Sequence, residues 1–237
     1  QLVDYVLPPE QMPYEIVNCM QYPYLIGVPS LRSALSADKD ALFEIFSLLR
    51  SQYRVDFTHY KQNTMLRRIG RRMDINQMKK VGDYLSYLYK NPAEVNLLYK
   101  ELLIGVTGFF RDPEAFEVIR QKVIPQIFAG KDSGDQIRLW VAGCSTGEEA
   151  YSLAIILSDY MGKNGKLLDV KVFATDLDKE AVEQAGKGIY PESAVADISK
   201  EYLYHYFHQR GDSYEILHQI RERTIFAQHN IIDDPPL

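Results

Sequence analysis

The chain has 237 residues, 46% hydrophobic and 25% charged, ordinary values for a globular protein with room for one or two cored domains. A formal charge of −5 excludes a chain built as a whole to hold nucleic acid electrostatically, and two cysteines, Cys19 and Cys144, exclude a disulfide scaffold and point to a reducing, cytoplasmic setting. No apolar run approaches the roughly 20 residues that a membrane-spanning helix needs, so membrane insertion is not expected.

Residues 1–30 are rich in proline and aromatics, which argues against long regular structure and reads as a linker or the tail of an upstream domain. In DKDALFEIFSLLRSQY, residues 38–53, Leu42, Ile45, Phe46, Leu49 and Tyr53 share one helical face. A second helix is predicted over 60–72 and a third over 81–90, with Val81, Tyr84, Leu85 and Leu88 as its stripe. Asn91-Pro92 starts a fourth, because proline at the first helical position lacks only an N–H that would be unpaired anyway. Residues 31–104 therefore read as a compact helical domain. Asp112-Pro113 starts another helix in the same way.

From there the pattern becomes strand 137–143, helix 148–161, strand 170–175 and helix 178–187, which implies an α/β domain with a parallel sheet and right-handed crossovers. Residues 202–230 break that order. YLYHYFHQ, RGDS, YEILHQ and TIFAQHNII read as short β runs around a turn.

The chemistry concentrates at LWVAGCSTGEEAY, residues 139–151. Glycines between a strand and a helix let a ligand approach backbone N–H groups closely. The spacing from Gly143 to Gly147 is G-x-x-x-G, not the G-x-G-x-x-G of a dinucleotide site, and no G-K-[ST] ending follows. Glu148 and Glu149 would repel a phosphate at the helix start, so a ligand with a cationic part and no phosphate, such as S-adenosylmethionine, suits the turn; equally, the two acids simply complement the helix dipole. Asp176 ends the second strand, where an acid commonly holds ribose hydroxyls, while Asp178 is better placed to cap the next helix. Cys144 lies between the glycines with no nearby histidine in sequence and reads as packing.

Several stretches together resemble the CheR-type chemotaxis receptor glutamate methyltransferase family: VTGFFRD at 106–112, WVAGCSTGEEAYSLA at 140–154, FATDLDKEAVEQAGKGIY at 173–190 and HNIIDDPP at 229–236, with VDFTHYKQNTMLRRIGRRM at 55–73 similar to its helical N-terminal domain. The resemblance implies a Rossmann-like methyltransferase sheet over 105–237, cut short at the C-terminus, with a small antiparallel β subdomain near 190–223 and an all-α N-terminal domain before it. Residues 1–20 look like the last segment of a receptor methylesterase, so the chain reads as a piece of a fused methylesterase–methyltransferase signalling protein.

The resemblance also implies the cofactor S-adenosylmethionine, released as S-adenosylhomocysteine, surrounded by Thr107, Arg111, Glu149, Asp176, Asn230 and Ile231. Arg111 suits a bidentate bond to the cofactor's carboxylate, or a plain surface salt bridge. Phe109 and Phe110 would wall the site or fill the core. Gly105 departs from the pattern, standing where many members carry asparagine. The implied reaction is methyl transfer to glutamate side chains of a chemoreceptor, without metal and without a general base, since a glutamate of ordinary pKa, about 4.3, is already ionised near neutrality. The antiparallel subdomain is where family members can dock a tether peptide from the receptor's tail. A non-catalytic signalling module of the same fold is the alternative, and a nicotinamide-dependent oxidoreductase is the third reading, against which the lack of G-x-G-x-x-G argues.

Residues 54–80 carry eight basic residues against two acids. Arg67 with Arg71, and Arg68 with Arg72, are i,i+4 pairs of like charge, a repulsive spacing that asks for a partner. The family resemblance points to the acidic methylation helices of the receptor as that partner.

Overall fold

The computed structural model describes residues 8, 9, 11–13, 38–103, 105–132 and 134–235. The segment expected to be a linker or upstream tail lies almost entirely outside the described residues. The chain divides into two compact units, Gln1–Ile104 and Gly105–Leu237.

The first unit is helical. α1 (Lys39–Tyr53), α2 (Gln62–Ile75), α3 (Val81–Lys90) and α4 (Pro92–Leu102) each bury one apolar stripe. Ile45, Leu49, Ile69, Met73, Tyr84, Leu88 and Leu98 form the fully buried centre. The second helix runs further than 60–72 because Met73 packs inside and Asn76 closes the turn on Arg72. Glu94, at the start of α4, accepts from Arg72 through Nε at 3.0 Å and Nη2 at 2.6 Å, from Asn76 at 2.9 Å and from the Tyr84 hydroxyl at 2.8 Å. Burial and the Glu94 carboxylate push the Tyr84 phenol well above its usual range, so it stays a donor.

These contacts revise the reading of the arginines. Arg68 and Arg71 both reach the Glu101 carboxylate, at 3.1 and 2.7 Å, and Arg68 also donates to the Glu101 carbonyl at 2.9 Å. Arg72 belongs to the Glu94 network. The repulsion inferred from their spacing is offset inside the domain, by acids 22–33 residues away in sequence. Arg67 is the member of the four that is exposed and without an ion pair among the described residues.

The second unit is α/β. α5 (Pro113–Val118) and α6 (Ile124–Phe128), joined by a π turn at Ile119–Val123, lead to β1 (Gln136–Ala142), α7 (Glu148–Asn164), β2 (Asp169–Asp176) and α8 (Lys179–Lys187). Asp178 caps α8, accepting from the N–H groups of Glu180 and Ala181. There follow β3 (Ile189–Pro191), α9 (Glu192–Val195), α10 (Lys200–Tyr206), β4 (Phe207–Arg210), β5 (Ser213–Ile216), α11 (His218–Arg221) and β6 (Thr224–Gln228). The main sheet is parallel with order β1-β2-β6, and the second is antiparallel with order β3-β5-β4. The small sheet is thus inserted in the crossover from β2 to β6. α7 lays Ala150, Tyr151, Ala154 and Ile155 on Val141, Val170, Val172 and Ala174 of the main sheet.

One β run expected over 202–230 comes out differently. YLYHY is the helix α10, because Ser199 caps it through the Tyr202 N–H and because Tyr202, Leu203 and Tyr206 also satisfy a helical stripe. TIFAQ is a strand as expected, and it joins the parallel sheet in register with Val172–Asp176.

Candidate functional site

The parallel strands end together. Ala142 pairs with Thr175 and Asp176 with Gln228, so Gly143, Asp176 and residues 229–231 emerge at one carboxyl edge, the edge at which open α/β sheets bind ligands. The loop after β1 is held on all sides. The N–H groups of Gly143 and Cys144 both donate to the Thr175 carbonyl, at 2.8 and 2.9 Å. The Ser145 N–H donates to Asp176 Oδ2 at 2.7 Å, and the Tyr190 hydroxyl donates to the Thr146 carbonyl at 2.7 Å.

The two glycines do different work. Gly147, at φ +93, precedes α7, and a Cβ there would lie 2.8 Å from Ala185 and 3.0 Å from Phe226. It allows close packing, not close approach of a ligand. Gly143, at φ +75, has nothing within 4 Å of where a Cβ would stand, and it lines a cavity of 440 Å³. Among the described residues, Thr107, Arg111, Phe116 and Glu149 line it as well.

The two acids of the turn also part company. Glu148 is buried, and both its oxygens accept from the Thr146 hydroxyl. Glu149 is exposed to the cavity, with no hydrogen bond or ion pair among the described residues. Arg111 donates through Nη1 to the Val106 carbonyl at 2.7 Å, which curls the loop around the cavity and, among the described residues, leaves its other guanidinium N–H groups uncommitted. The cavity therefore presents one positive group, Arg111, and two negative ones, Glu149 and Asp112, with open space over a glycine between strand and helix. Thr107, Arg111 and Glu149, named from sequence, come together there.

Asp176 lies at the same edge but not in that cavity's lining. Its carboxylate accepts from the N–H groups of Ser145 and Asp178, at 2.7 and 2.9 Å, so it shapes the loop as well as facing the edge. Asn230 folds its carboxamide back on its own loop, accepting from the Ile232 N–H at 3.0 Å and donating to Asp233 at 2.8 Å. Ile231 is exposed. Neither lines the cavity.

Phe109 is core, edge-on to Tyr190 and Phe207 at 4.9 and 5.5 Å. Phe110 packs on Phe116 and Tyr202, and Phe116 is the phenylalanine that lines the cavity. Sequence reasoning missed Phe116, Ser152 and Tyr190. Ser152 had a visible signal, a hydroxyl one turn after Glu148 on the same helical face; Tyr190 had none, because its contact comes from the inserted sheet. Burial, then the Asp176 charge, pushes the Cys144 thiol up to about 12, which keeps it a neutral packing group.

Residues 105–237 match the family described as CheR methyltransferase, SAM binding domain, and residues 40–103 match CheR methyltransferase, all-alpha domain. Over 197 residues the chain is 40% identical to an uncharacterized 104.1 kDa protein of Rhodobacter capsulatus, covering 83% of this chain and 21% of that protein. It is 33% identical over 210 residues to the chemotaxis protein methyltransferase of Salmonella typhimurium, covering 85% and 68% of the two chains. With the chemotaxis protein methyltransferase of Borreliella burgdorferi the identity is 25% over 205 residues, covering 84% and 72%. The chain thus spans about a fifth of the Rhodobacter protein and roughly 70% of the other two. The cofactor of the matched domain is S-adenosylmethionine. With both of its units matched in order, this chain belongs to the CheR methyltransferase family.

Proposed function

We propose that this chain is the methyltransferase module of a chemotaxis-type signalling protein and transfers methyl groups to glutamate side chains of a chemoreceptor. The observation that carries the reading is that Arg111 and Glu149 line one cavity together with Thr107 and Gly143. The amino-acid end of S-adenosylmethionine bears a carboxylate and an ammonium and no phosphate. Arg111 suits the carboxylate, Glu149 the ammonium, and Thr107 offers a hydroxyl to the same end. Asp176 is proposed for the ribose hydroxyls: each of its oxygens accepts one backbone N–H and keeps a lone pair for a second donor. Asn230 and Ile231 are proposed beside the adenine, where Ile231 offers exposed apolar surface.

When bound, S-adenosylmethionine supplies a methyl group on a positively charged sulfur. The chain's own task is to hold and orient. A receptor glutamate is ionised near neutrality, so no residue has to remove a proton from it and no acid–base pair is assigned. The methyl group that the cofactor would supply would pass from its sulfur to a carboxylate oxygen held by this chain, so that a neutral methyl ester and S-adenosylhomocysteine would be the products. Positioning and the exclusion of water from the carboxylate are the catalytic means this implies.

For the receptor, the proposal rests on the basic surface of the helical unit. Arg67 is its exposed member, Arg68 and Arg71 contribute charge shared with Glu101, and Arg72 drops out because it is held by Glu94. The antiparallel sheet β3-β5-β4 is the proposed place for a receptor tail peptide. The test is transfer of labelled methyl groups to receptor cytoplasmic fragments, with base-labile label expected on glutamates and Arg67→Glu expected to slow transfer several-fold. Tight binding of S-adenosylhomocysteine with no transfer to any receptor fragment would refute the catalytic reading.

A further inference from the structure

One hydroxyl ties the two walls of the Arg111–Glu149 cavity together. Ser152 is fully buried in α7, one turn after Glu148 and Glu149. Its Oγ donates to the Glu148 carbonyl at 2.7 Å and accepts the Phe110 N–H at 3.1 Å. Phe110 belongs to the opposite wall, residues 106–112, next to Arg111. It sits at φ +47, a left-handed conformation that strains a bulky L-residue and persists only when its surroundings hold it. Among the described residues, the bond to Ser152 is the side-chain hydrogen bond that holds the Phe110 backbone there. The Arg111 bond to Val106 is local to the loop and does not reach the helix.

We infer that Ser152 is a positioning residue: its hydroxyl sets the loop bearing Thr107 and Arg111 at a fixed height over the first turn bearing Glu149, and thereby sets affinity for the amino-acid end of the cofactor. This rests on the cofactor reading above. A serine in a helix usually returns its hydroxyl to the carbonyl four residues back, and here it does so while its lone pair takes up a second strand of chain. The Phe109 and Phe110 rings anchor the same loop from its apolar side, so losing the hydroxyl should loosen its backbone without releasing it.

The test uses the full chain with Ser152→Ala and Ser152→Cys, the second filling the space while offering only a weak acceptor. Two quantities are read: hydrogen exchange at the Phe110 amide relative to Ile155 in the same helix, and affinity for S-adenosylhomocysteine by calorimetry. The expected result for both variants is at least tenfold faster exchange at Phe110 with Ile155 unchanged, and affinity weakened five- to tenfold. Unchanged exchange at Phe110 in a folded variant would overturn the inference, as would faster exchange with affinity intact. Should Ser152→Cys match the unsubstituted protein while Ser152→Ala does not, the role is packing and the inference fails. Failure of the unsubstituted protein to bind S-adenosylhomocysteine would instead refute the cofactor reading; the inference would go with it on affinity, while Phe110 exchange would still report whether the hydroxyl holds the loop.

Discussion

Glu94 and Glu149 each stand in the first turn of a helix, where a carboxylate complements the exposed N–H groups, and the two units use them in opposite ways. Glu94 is buried and accepts from Arg72, Asn76 and Tyr84. Glu149 is exposed, faces a cavity, and has no such partner among the described residues. The arginines follow the same division: Arg72 is held by two bonds to a carboxylate, whereas Arg111 gives one N–H to a carbonyl of its own loop. A carboxylate surrounded by donors fixes structure. The same group left facing a cavity is available for a ligand.

The largest effect should come from breaking the satisfied member. Glu94→Ala strands a mostly buried guanidinium and orphans the Tyr84 hydroxyl, and losing one partner of a buried pair costs about 3–5 kcal/mol. Denaturant unfolding followed by far-UV circular dichroism should show that loss. Trp140, the chain's single tryptophan, lies in the second unit, and its fluorescence transition is the reference that should hold. A loss below about 1 kcal/mol would mean that the network adds little to hydrophobic packing, and the division drawn here between structural and available carboxylates would fail.

Asp74 sharpens the comparison from the other side. It is buried near the end of α2, yet among the described residues neither carboxylate oxygen has a hydrogen-bond partner. Burial alone raises its pKa to about 7, against 3.8 for the free side chain. The folded state therefore binds the proton more tightly than the unfolded one. Stability from this group is fully present below about pH 4 and is lost as pH rises toward 7. Asp74→Ala should raise stability at pH 8 by about 1–3 kcal/mol, with the gain shrinking toward pH 4. A gain that is the same at both pH values would show that helix propensity, not the buried carboxyl, is responsible.

Features whose cause is local in sequence were legible. Asn91-Pro92 and Asp112-Pro113 start helices because proline fixes φ and lacks only an N–H that would be unpaired there. The apolar runs of β1 and β2 form the paired strands of a parallel sheet; Thr107, Arg111 and Glu149, named as a set through the family resemblance and not from any local pattern, line one cavity. What depends on tertiary partners was not legible. The spacing of Arg68, Arg71 and Arg72 shows repulsion along α2 but not Glu94 and Glu101 standing opposite on α4. YLYHY satisfies both a strand and a helix pattern, and the Ser199 cap decides between them. The G-x-x-x-G spacing does not say that Gly147 faces Ala185 and Phe226 while Gly143 faces open space; that follows only once α8 and β6 are in place.

Removing the charge of the available member should give the smallest change in stability and the clearest change in binding. Glu149→Gln keeps the shape of the side chain and the first turn of α7, and no intramolecular bond among the described residues is lost. Unfolding free energy should stay within about 0.5 kcal/mol. A charge-assisted hydrogen bond is worth roughly 1.5–3 kcal/mol, and the exposure of Glu149 puts the expected loss at the low end, about tenfold in affinity for S-adenosylhomocysteine. Calorimetry at two salt concentrations gives the check, since an exposed charge pair should weaken with added salt in the unsubstituted protein and less so in the variant. Equal affinity for both proteins would leave Glu149 with the helix dipole as its only role, and the contrast with Glu94 would reduce to a difference in burial.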